Sequence, residues 1–282
     1  MLNRAPLPLS EPPVVLLALA LSLADEAPDR VDAPVWPAPG APLSPPPLRP
    51  AFGPRKKVML SAGHGTGSNI GNIGAHGQVE EETTLEVVLD LAERLETLDR
   101  FDIVLSRDVG ERPSYQRRVD RAEALGVDVL VELHTDSRGD PYVWAHNPDR
   151  VIYRDDHQPG FSILYRDKDG IREERASFAR TVATSMAQAG FPPYGGENYT
   201  GLFDLDPTPG AFQDRRYLFM LRKPSMPSVI VELHNAIDYE ESLRWREDRV
   251  KEAFAWAMAD ALTRYLYPDP HDPTGRPEEG TL

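Results

Sequence analysis

The feature that most constrains the fold is a pair of apolar runs that end in the same four residues, VELH. The first run, VDVLVELH, covers residues 127–134, and the second, SVIVELH, covers residues 228–234. Nearly continuous apolar runs are typical of strands buried on both faces of a parallel sheet. Their flanking sequences are unrelated. We therefore interpret the shared tetrapeptide as a coincidence between two buried strands and not as an internal repeat.

The rest of the chain from Lys57 alternates short apolar runs with helical periodicity. Further strands are predicted at 57–61, 101–106, 161–165 and 216–221, and helices at 82–98, 113–125 (ended by Gly126), 172–189 and 240–266. Such alternation indicates a parallel sheet covered on both sides. We expect an α/β fold in a single domain, with a mainly parallel twisted sheet of about six strands and helices on both faces. Residues 138–160 and 191–215 are predicted to be long irregular segments that shape or cover a site.

The chain before this domain has a different composition. Residues 1–24 combine Arg4 with an apolar stretch at 14–24 and small residues at its end, which is typical of a signal peptide. Residues 25–54 contain ten prolines and read as an extended linker. We expect an exported protein, located in the periplasm or in the extracellular space and cell wall. The folded domain is predicted at 55–268, followed by a disordered tail at 269–282.

Composition excludes several classes of function. The chain has no cysteine, so disulfides, thiol nucleophiles and cysteine-bound zinc are all ruled out. Its formal net charge of −14 argues against a nucleic-acid partner, which requires a concentrated basic surface.

Ionisable residues stand at the carboxyl ends of the predicted strands, where open α/β sheets bind their ligands. His64 follows the first strand between two glycines, His134 and Glu232 end the two VELH strands, and Glu80 precedes a helix. Two imidazoles and one carboxylate form a donor set typical of catalytic zinc, and a second carboxylate can act as a proton shuttle. Five other histidines are alternative ligands, so the pattern alone leaves the zinc site open: His76, His146, His157, His234 and His271.

Four motifs in order resemble the catalytic domain of the zinc-dependent N-acetylmuramoyl-L-alanine amidases, which hydrolyse the cell wall. The segment SAGHGTGSNIGNIGAHGQVEEETTL (61–85) has the family's G-H-G, its G-x-x-E and a leucine five residues after the glutamate. LSRDVGERPSYQRRVDRA (105–122) resembles its T-R-D-like turn, with Arg107, Asp108 and Arg118 in register. VELHTDS (131–137) and PSVIVE (227–232) resemble its metal-binding and catalytic strands. The resemblance covers about 57–266.

The resemblance implies specific roles and a specific reaction. His64, Glu80 and His134 are expected to hold one Zn²⁺, and Glu232 is expected to be the catalytic carboxylate. The expected reaction is hydrolysis of the amide between N-acetylmuramic acid and the L-alanine of peptidoglycan stem peptides. Peptidoglycan is then the partner, and whether a protein activator is required stays open.

The sequence departs from the family's pattern at three positions near the site. Glu132 replaces a small polar residue on the same strand face as His134, where it either orients the imidazole or neutralises an arginine. Asp136 stands where asparagine is common. His234 follows the catalytic glutamate on the same face, where it stabilises developing charge, contacts substrate or only caps the strand.

Two other functions remain open. A zinc exopeptidase or amidohydrolase for small N-acyl amino acids or peptides would need a cation for the substrate carboxylate, for which Arg107, Arg215 and Arg222 are candidates. The other alternative is a wall-binding module without activity. The presence of all the expected site residues argues against it, since an inactive copy would tend to lose at least one of them: His64, Glu80, His134 and Glu232.

Overall fold

The computed structural model describes residues 48–147, 150–167 and 171–268. The predicted signal peptide at 1–24, most of the linker at 25–54 and the tail at 269–282 lie outside the described residues. The described strands are β1 Lys56–Ala62, β2 Phe101–Leu105, β3 Val129–Asp136, β4 Tyr142–Asn147, β5 Arg150–Arg154, β6 Ser162–Tyr165, β7 Phe203–Leu205, β8 Ala211–Asp214 and β9 Ser228–Asn235. The described helices are α1 Glu80–Glu96, α2 Tyr115–Leu125, α3 Arg172–Gln188, α4 Phe219–Arg222, α5 Tyr239–Arg244 and α6 Asp248–Leu266.

Seven of these strands form one mixed sheet in the order β2-β1-β3-β9-β6-β8-β7. The pairs β2–β1, β1–β3, β3–β9 and β6–β8 are parallel. The pairs β9–β6 and β8–β7 are antiparallel. The expected mainly parallel α/β domain is therefore confirmed, with seven strands in place of about six. β4 and β5 form a separate antiparallel hairpin.

Helices cover both faces of the sheet, as expected. Neighbouring residues of a strand point to opposite sides, so each face of the sheet presents apolar side chains that a helix can cover. Val58 and Leu60 of β1 pack into the larger core with residues of α1, α3 and α6. Met59 points the other way and packs with Val119 of α2 and Met220 of α4. The two central strands, β3 and β9, are thus buried on both faces, which explains their continuous apolar sequences.

The ends of α2 show how local sequence fixes an element. The hydroxyl of Ser114 accepts a hydrogen bond from the backbone N–H of Arg117 at 3.3 Å and so caps the amino end. Gly126 ends the helix in the left-handed conformation, with φ of 60°, as predicted.

The predicted strand at 216–221 is wrong. Tyr217 has a φ of 62°, in the left-handed region, which an extended strand cannot contain. The Asp214 carboxylate accepts hydrogen bonds from the backbone N–H groups of Arg216 at 2.7 Å and Leu218 at 2.9 Å. The chain therefore turns after β8 and enters the short helix α4.

Three other segments differ from the prediction. The single helix expected at 240–266 is divided into α5 and α6, because Glu247 is extended, with ψ of 131°, at the start of α6. Segment 138–160 contains the hairpin β4–β5, and 191–215 contains a 3-10 turn and the strands β7 and β8, so neither is wholly irregular. Among the helices that the structure describes, none is long and apolar enough to cross a membrane.

Candidate active site

His64, Glu80 and His134 come together at the carboxyl edge of the sheet. One nitrogen or oxygen from each side chain lies within 4.8 Å of the other two. The Glu80 carboxylate lies between the rings: its Oε2 is 3.0 Å from Nε2 of His64, and its Oε1 is 3.0 Å from Nδ1 of His134. This group can hold a metal ion, since its two imidazoles and one carboxylate are donors that zinc accepts and their donor atoms lie close together.

The loop after β1 presents His64 in a constrained conformation. His64 itself has a φ of 57°, which is uncommon for a residue other than glycine. The buried guanidinium of Arg118 clamps this loop by donating to the backbone carbonyls of Ala62, His64 and Gly65. The other nitrogen of His64, Nδ1, is 2.9 Å from Oδ1 of Asn69. With a metal ion bound beside Glu80, an Nδ1–H donor to this amide oxygen would leave the lone pair of Nε2 free for the metal.

Glu80 is the first residue of α1 and is almost completely buried. Its carboxylate accepts backbone hydrogen bonds from Thr135 at 3.0 Å and from Asn72 at 2.9 Å. Burial alone would raise the pKa of Glu80, but hydrogen bonds with His134 and His64 outweigh it and hold that pKa well below its usual range. The group therefore contributes a fixed negative charge to the site.

Two glycines allow the main chain to approach the donor side chains. A Cβ atom at Gly63 would lie 2.5 Å from Cε1 of His134. A Cβ atom at Gly71, where φ is +78°, would lie 2.4 Å from Oε2 of Glu80 and 2.7 Å from Cδ2 of His64. The G-H-G motif and the glycine-rich loop are thus explained by close packing against the donors.

Glu232 faces the donor group from the neighbouring strand. In the parallel pair β3–β9 it is the register partner of His134. Its Oε2 atom is buried and has no hydrogen-bond partner in the part of the chain that the structure describes. Burial and the charge of Asp136 raise the pKa of Glu232 to about 8, against the opposing effect of His134. A carboxyl group with such a pKa can both accept and release a proton near neutral pH.

A cavity of about 490 Å³ joins these groups. Its lining includes the donor group, Glu132, Asp136 and Glu232, together with residues of segment 198–220. The lining residues of that segment are Asn198, Tyr199, Leu202, Phe203, Arg216, Leu218, Phe219 and Met220. The segment 191–215 thus contributes directly to the cavity.

The other residues singled out from sequence are placed differently. Glu132 and Asp136 line the cavity, and Asp136 accepts a 2.5 Å hydrogen bond from the hydroxyl of Tyr199. His234 is buried, does not line this cavity, and stacks on Trp245 with ring centroids 5.6 Å apart. Arg222 also lies outside the lining, with its guanidinium 5.9 Å from the ring of Phe219.

Two candidate arginines and two alternative histidines have structural partners. Arg107 is buried and donates to backbone carbonyls, and Arg215 pairs with Asp204 at 3.0 Å. Of the alternative ligands, His76 contacts the carbonyl of Tyr239, His157 pairs with Asp155, and His146 lies on β4. His271 lies outside the described residues.

Sequence reasoning missed two basic residues of the cavity wall, Arg138 and Arg216. Arg138 is buried, with Nε 3.4 Å from the Asp136 carboxylate and its guanidinium 4.1 Å from the ring of Tyr194. Arg216 is exposed and lies over the ring of Phe203 at 5.9 Å. The sequence offers no signal for either, because both approach the site through irregular connections.

Comparison with known proteins shows the family. The sequence profile described as N-acetylmuramoyl-L-alanine amidase matches residues 58–264, which include almost the whole sheet and all its covering helices. The chain belongs to this family. The resemblance seen in the motifs is therefore confirmed.

Relatives agree with this assignment. The amidase AmiC of Neisseria meningitidis serogroup B is 24% identical over 249 residues, which cover 79% of this chain and 56% of AmiC. The chain thus matches just over half the length of this curated relative.

Solved structures share the fold. Ami1 of Mycobacterium smegmatis has a TM-score of 0.61 at 19% identity, covering 76% of this chain and 97% of Ami1. The catalytic domain of CwlV from Paenibacillus polymyxa var. colistinus has a TM-score of 0.57 at 21% identity, covering 75% and 98%. CwlD of Clostridioides difficile, in a complex with the GerS lipoprotein, has a TM-score of 0.54 at 16% identity, covering 76% and 100%.

Proposed function

We propose that this protein is a zinc-dependent amidase that hydrolyses the bond between N-acetylmuramic acid and the L-alanine of peptidoglycan stem peptides. The observation that carries the proposal is the donor group of His64, Glu80 and His134 facing Glu232 in one cavity, in a chain of this family. The reaction then needs an activated water, a polarised carbonyl and a proton for the departing amine.

His64, Glu80 and His134 would hold one Zn²⁺. Two neutral imidazoles and an ionised carboxylate are the donors that zinc takes in catalytic sites, and the convergent spacing of these three fits a single ion. A zinc ion bound there would polarise the scissile carbonyl and lower the pKa of water. The remaining chemistry falls to the side chains around the cavity.

Glu232 moves the proton in this proposal. Its carboxylate accepts a proton from the attacking water and then donates it to the leaving nitrogen of L-alanine. The pKa of Glu232, raised to about 8 by burial and by Asp136, supports the second step, since the carboxyl group can hold the proton until the amine departs. The charge of a bound Zn²⁺ would lower this pKa and so favour the ionised form that accepts the proton in the first step. The unpartnered Oε2 atom supplies the oxygen that would accept it.

Arg216 is proposed to bind the stem peptide. The proposed substrate carries free carboxylates beyond the scissile amide, and Arg216 supplies positive charge to the lining of the cavity that holds the donor group. Arg138 is less available, because it donates to the carbonyl of Gly160 at 2.6 Å and lies beside Asp136.

Export is part of the proposal, with residues 1–24 as signal peptide, 25–54 as linker, 55–268 as catalytic domain and 269–282 as tail. A substrate in the cell wall requires it. CwlD, which shares this fold, forms a complex with the GerS lipoprotein. A protein partner should therefore be tested for here as well.

Two defined substrates test the proposal against its enzymatic alternative. The zinc-loaded protein should release a free L-alanine amino terminus from a muramoyl peptide and leave N-acetyl-L-alanine intact. Cleavage of the small substrate alone would favour an amidohydrolase for N-acyl amino acids. If neither substrate is cleaved while zinc is bound, the chain would fit a binding module better.

A further inference from the structure

Glu132 is an acidic residue in an unusual place. It lies two residues before His134 on β3, so both side chains point to the same face of the sheet. Its side chain is only 1% exposed, at a position where the family's pattern has a small polar residue. A buried carboxylate is costly unless its neighbours compensate for the lost water. Its contacts therefore indicate what it does.

Three polar groups surround this carboxylate. The hydroxyl of Ser61 donates to Oε1 at 3.2 Å, and Nη1 of Arg118 lies 3.7 Å from the same oxygen. The other oxygen, Oε2, lies 3.5 Å from Nε2 of His134. Glu132 thus stands between a buried arginine and a residue of the donor group.

The ring of His134 has carboxylates at both of its nitrogens. Nδ1 faces Glu80 at 3.0 Å, and Nε2 faces Glu132. Gly63 packs against the ring, so the imidazole has little room to shift. If Nδ1 gives its lone pair to a metal ion beside Glu80, the proton must reside on Nε2, and Glu132 is the acceptor that faces it.

His64 has a comparable arrangement with a neutral acceptor. Its Nε2 faces Glu80, and its Nδ1 faces the side-chain oxygen of Asn69 at 2.9 Å. The two imidazoles therefore present opposite nitrogens to Glu80. Only His134 has a charged acceptor behind it, which makes an imidazole a stronger donor to a metal ion.

We propose that Glu132 is a positioning residue that holds His134 with Nδ1 towards the metal ion and Nε2 protonated. The proposal rests on the metal site of the proposed function. Arg118 connects this contact to the rest of the site, because it pairs with Glu132 and also binds the carbonyls of Ala62 and His64. One buried ion pair thus links the strand that carries His134 to the loop that carries His64.

Zinc affinity of Glu132→Gln tests the proposal without relying on turnover. Competition with a chromogenic chelator should show zinc binding about 10- to 100-fold weaker than in the wild type. The matched control is Ser61→Ala, which removes a neighbour of the same carboxylate but leaves its contact with His134, and its affinity should stay within about threefold of wild type. Equal affinity of Glu132→Gln and wild type would overturn the proposal.

Nitrogen-15 NMR of the zinc-loaded wild type provides a second test that needs no variant. The expected spectrum shows the proton of His134 on Nε2 and zinc on Nδ1, whereas zinc on Nε2 would overturn the proposal. The outcome also separates the two claims. A wild type that binds no zinc contradicts the proposed function itself, whereas zinc binding unaffected by Glu132→Gln contradicts only the role of Glu132.

Discussion

β3 and β9 are neighbouring parallel strands that contain the same tetrapeptide, VELH, yet the two copies are out of register in the sheet. His134 of the first copy is the register partner of Glu232 of the second, and Glu132 is the partner of Ile230. The same depth of the site is therefore filled by a histidine on one strand and a glutamate on the other. Register decides which residue of each copy faces the cavity.

The remaining members of the two copies have different surroundings. Glu132 contacts His134 of the donor group, whereas His234 lies outside the cavity lining and stacks on Trp245. Burial lowers the pKa of both histidines, but Glu132 and Glu80 raise the pKa of His134 well above its usual value, and His234 falls to about 4. The same tetrapeptide thus places one histidine among carboxylates, which favour positive charge on or beside the ring, and buries the other as a neutral ring.

The largest expected effect separates the two histidines. His134→Ala removes one of three donors and should abolish both zinc binding and turnover. His234→Phe keeps a ring against Trp245 and should retain zinc and activity within about threefold, since it changes a stacking contact outside the cavity. Metal analysis and peptide release measure both. Loss of zinc in His234→Phe would contradict the difference drawn between the strands.

The second prediction concerns the two glutamates. Glu232→Gln should lower kcat by about 10²- to 10⁴-fold, because proton transfer of this kind contributes that much. Zinc affinity should not fall, in contrast to Glu132→Gln. The midpoint of thermal unfolding should stay the same or rise, because an unpartnered buried carboxyl is removed. Weakened zinc binding in Glu232→Gln would assign it to the donor group instead.

The third prediction uses the pKa of His234, which burial lowers from 6.5 to about 4. Between those values the unfolded chain binds more protons than the folded one, so the free energy of unfolding falls as the pH falls. From about pH 7.5 to about pH 5 this single group removes about 2 kcal/mol.

Chemical denaturation at both pH values checks this sign. His234→Phe should lose about 2 kcal/mol less than the wild type over the same interval. An identical loss in both proteins would mean that His234 does not titrate as its burial predicts.

The smallest expected effect concerns Arg216, which lines the cavity. Arg216→Gln should raise KM for a muramoyl peptide about tenfold with kcat nearly unchanged, because a charge-assisted contact contributes roughly 1.5 kcal/mol. The neighbouring Arg215 pairs with Asp204 outside the cavity lining, which makes Arg215→Gln the matched control. Equal KM values for both variants would remove Arg216 from substrate binding.

Much of the fold could be predicted from sequence because the central elements have strong patterns. The continuous apolar runs of β3 and β9 and the Gly126 cap of α2 all identify their elements. The strands β7 and β8 are three and four residues long, too short for a periodic signal. The segment at 216–221 is rich in strand-forming residues, but the left-handed Tyr217 overrides that preference.

Part of the site could also be predicted from the sequence, and part could not. Strand ends share one edge of a parallel sheet, so His64, His134 and Glu232 could be expected to lie together, and the structure brings them together. The offset between the two VELH copies could not be predicted, because strand register depends on packing along the whole pair. The burial of His234 against Trp245 depends on this register and so could not be predicted from the sequence either.

The most direct test of the central claim is mass spectrometry of isolated cell-wall sacculi treated with the zinc-loaded protein. The account predicts stem peptides that begin with an unblocked L-alanine in the wild-type reaction, and none above background with Glu232→Gln. Release of such peptides by Glu232→Gln at the wild-type rate would contradict the role of Glu232. Their absence from the wild-type reaction, with zinc bound, would contradict the amidase function.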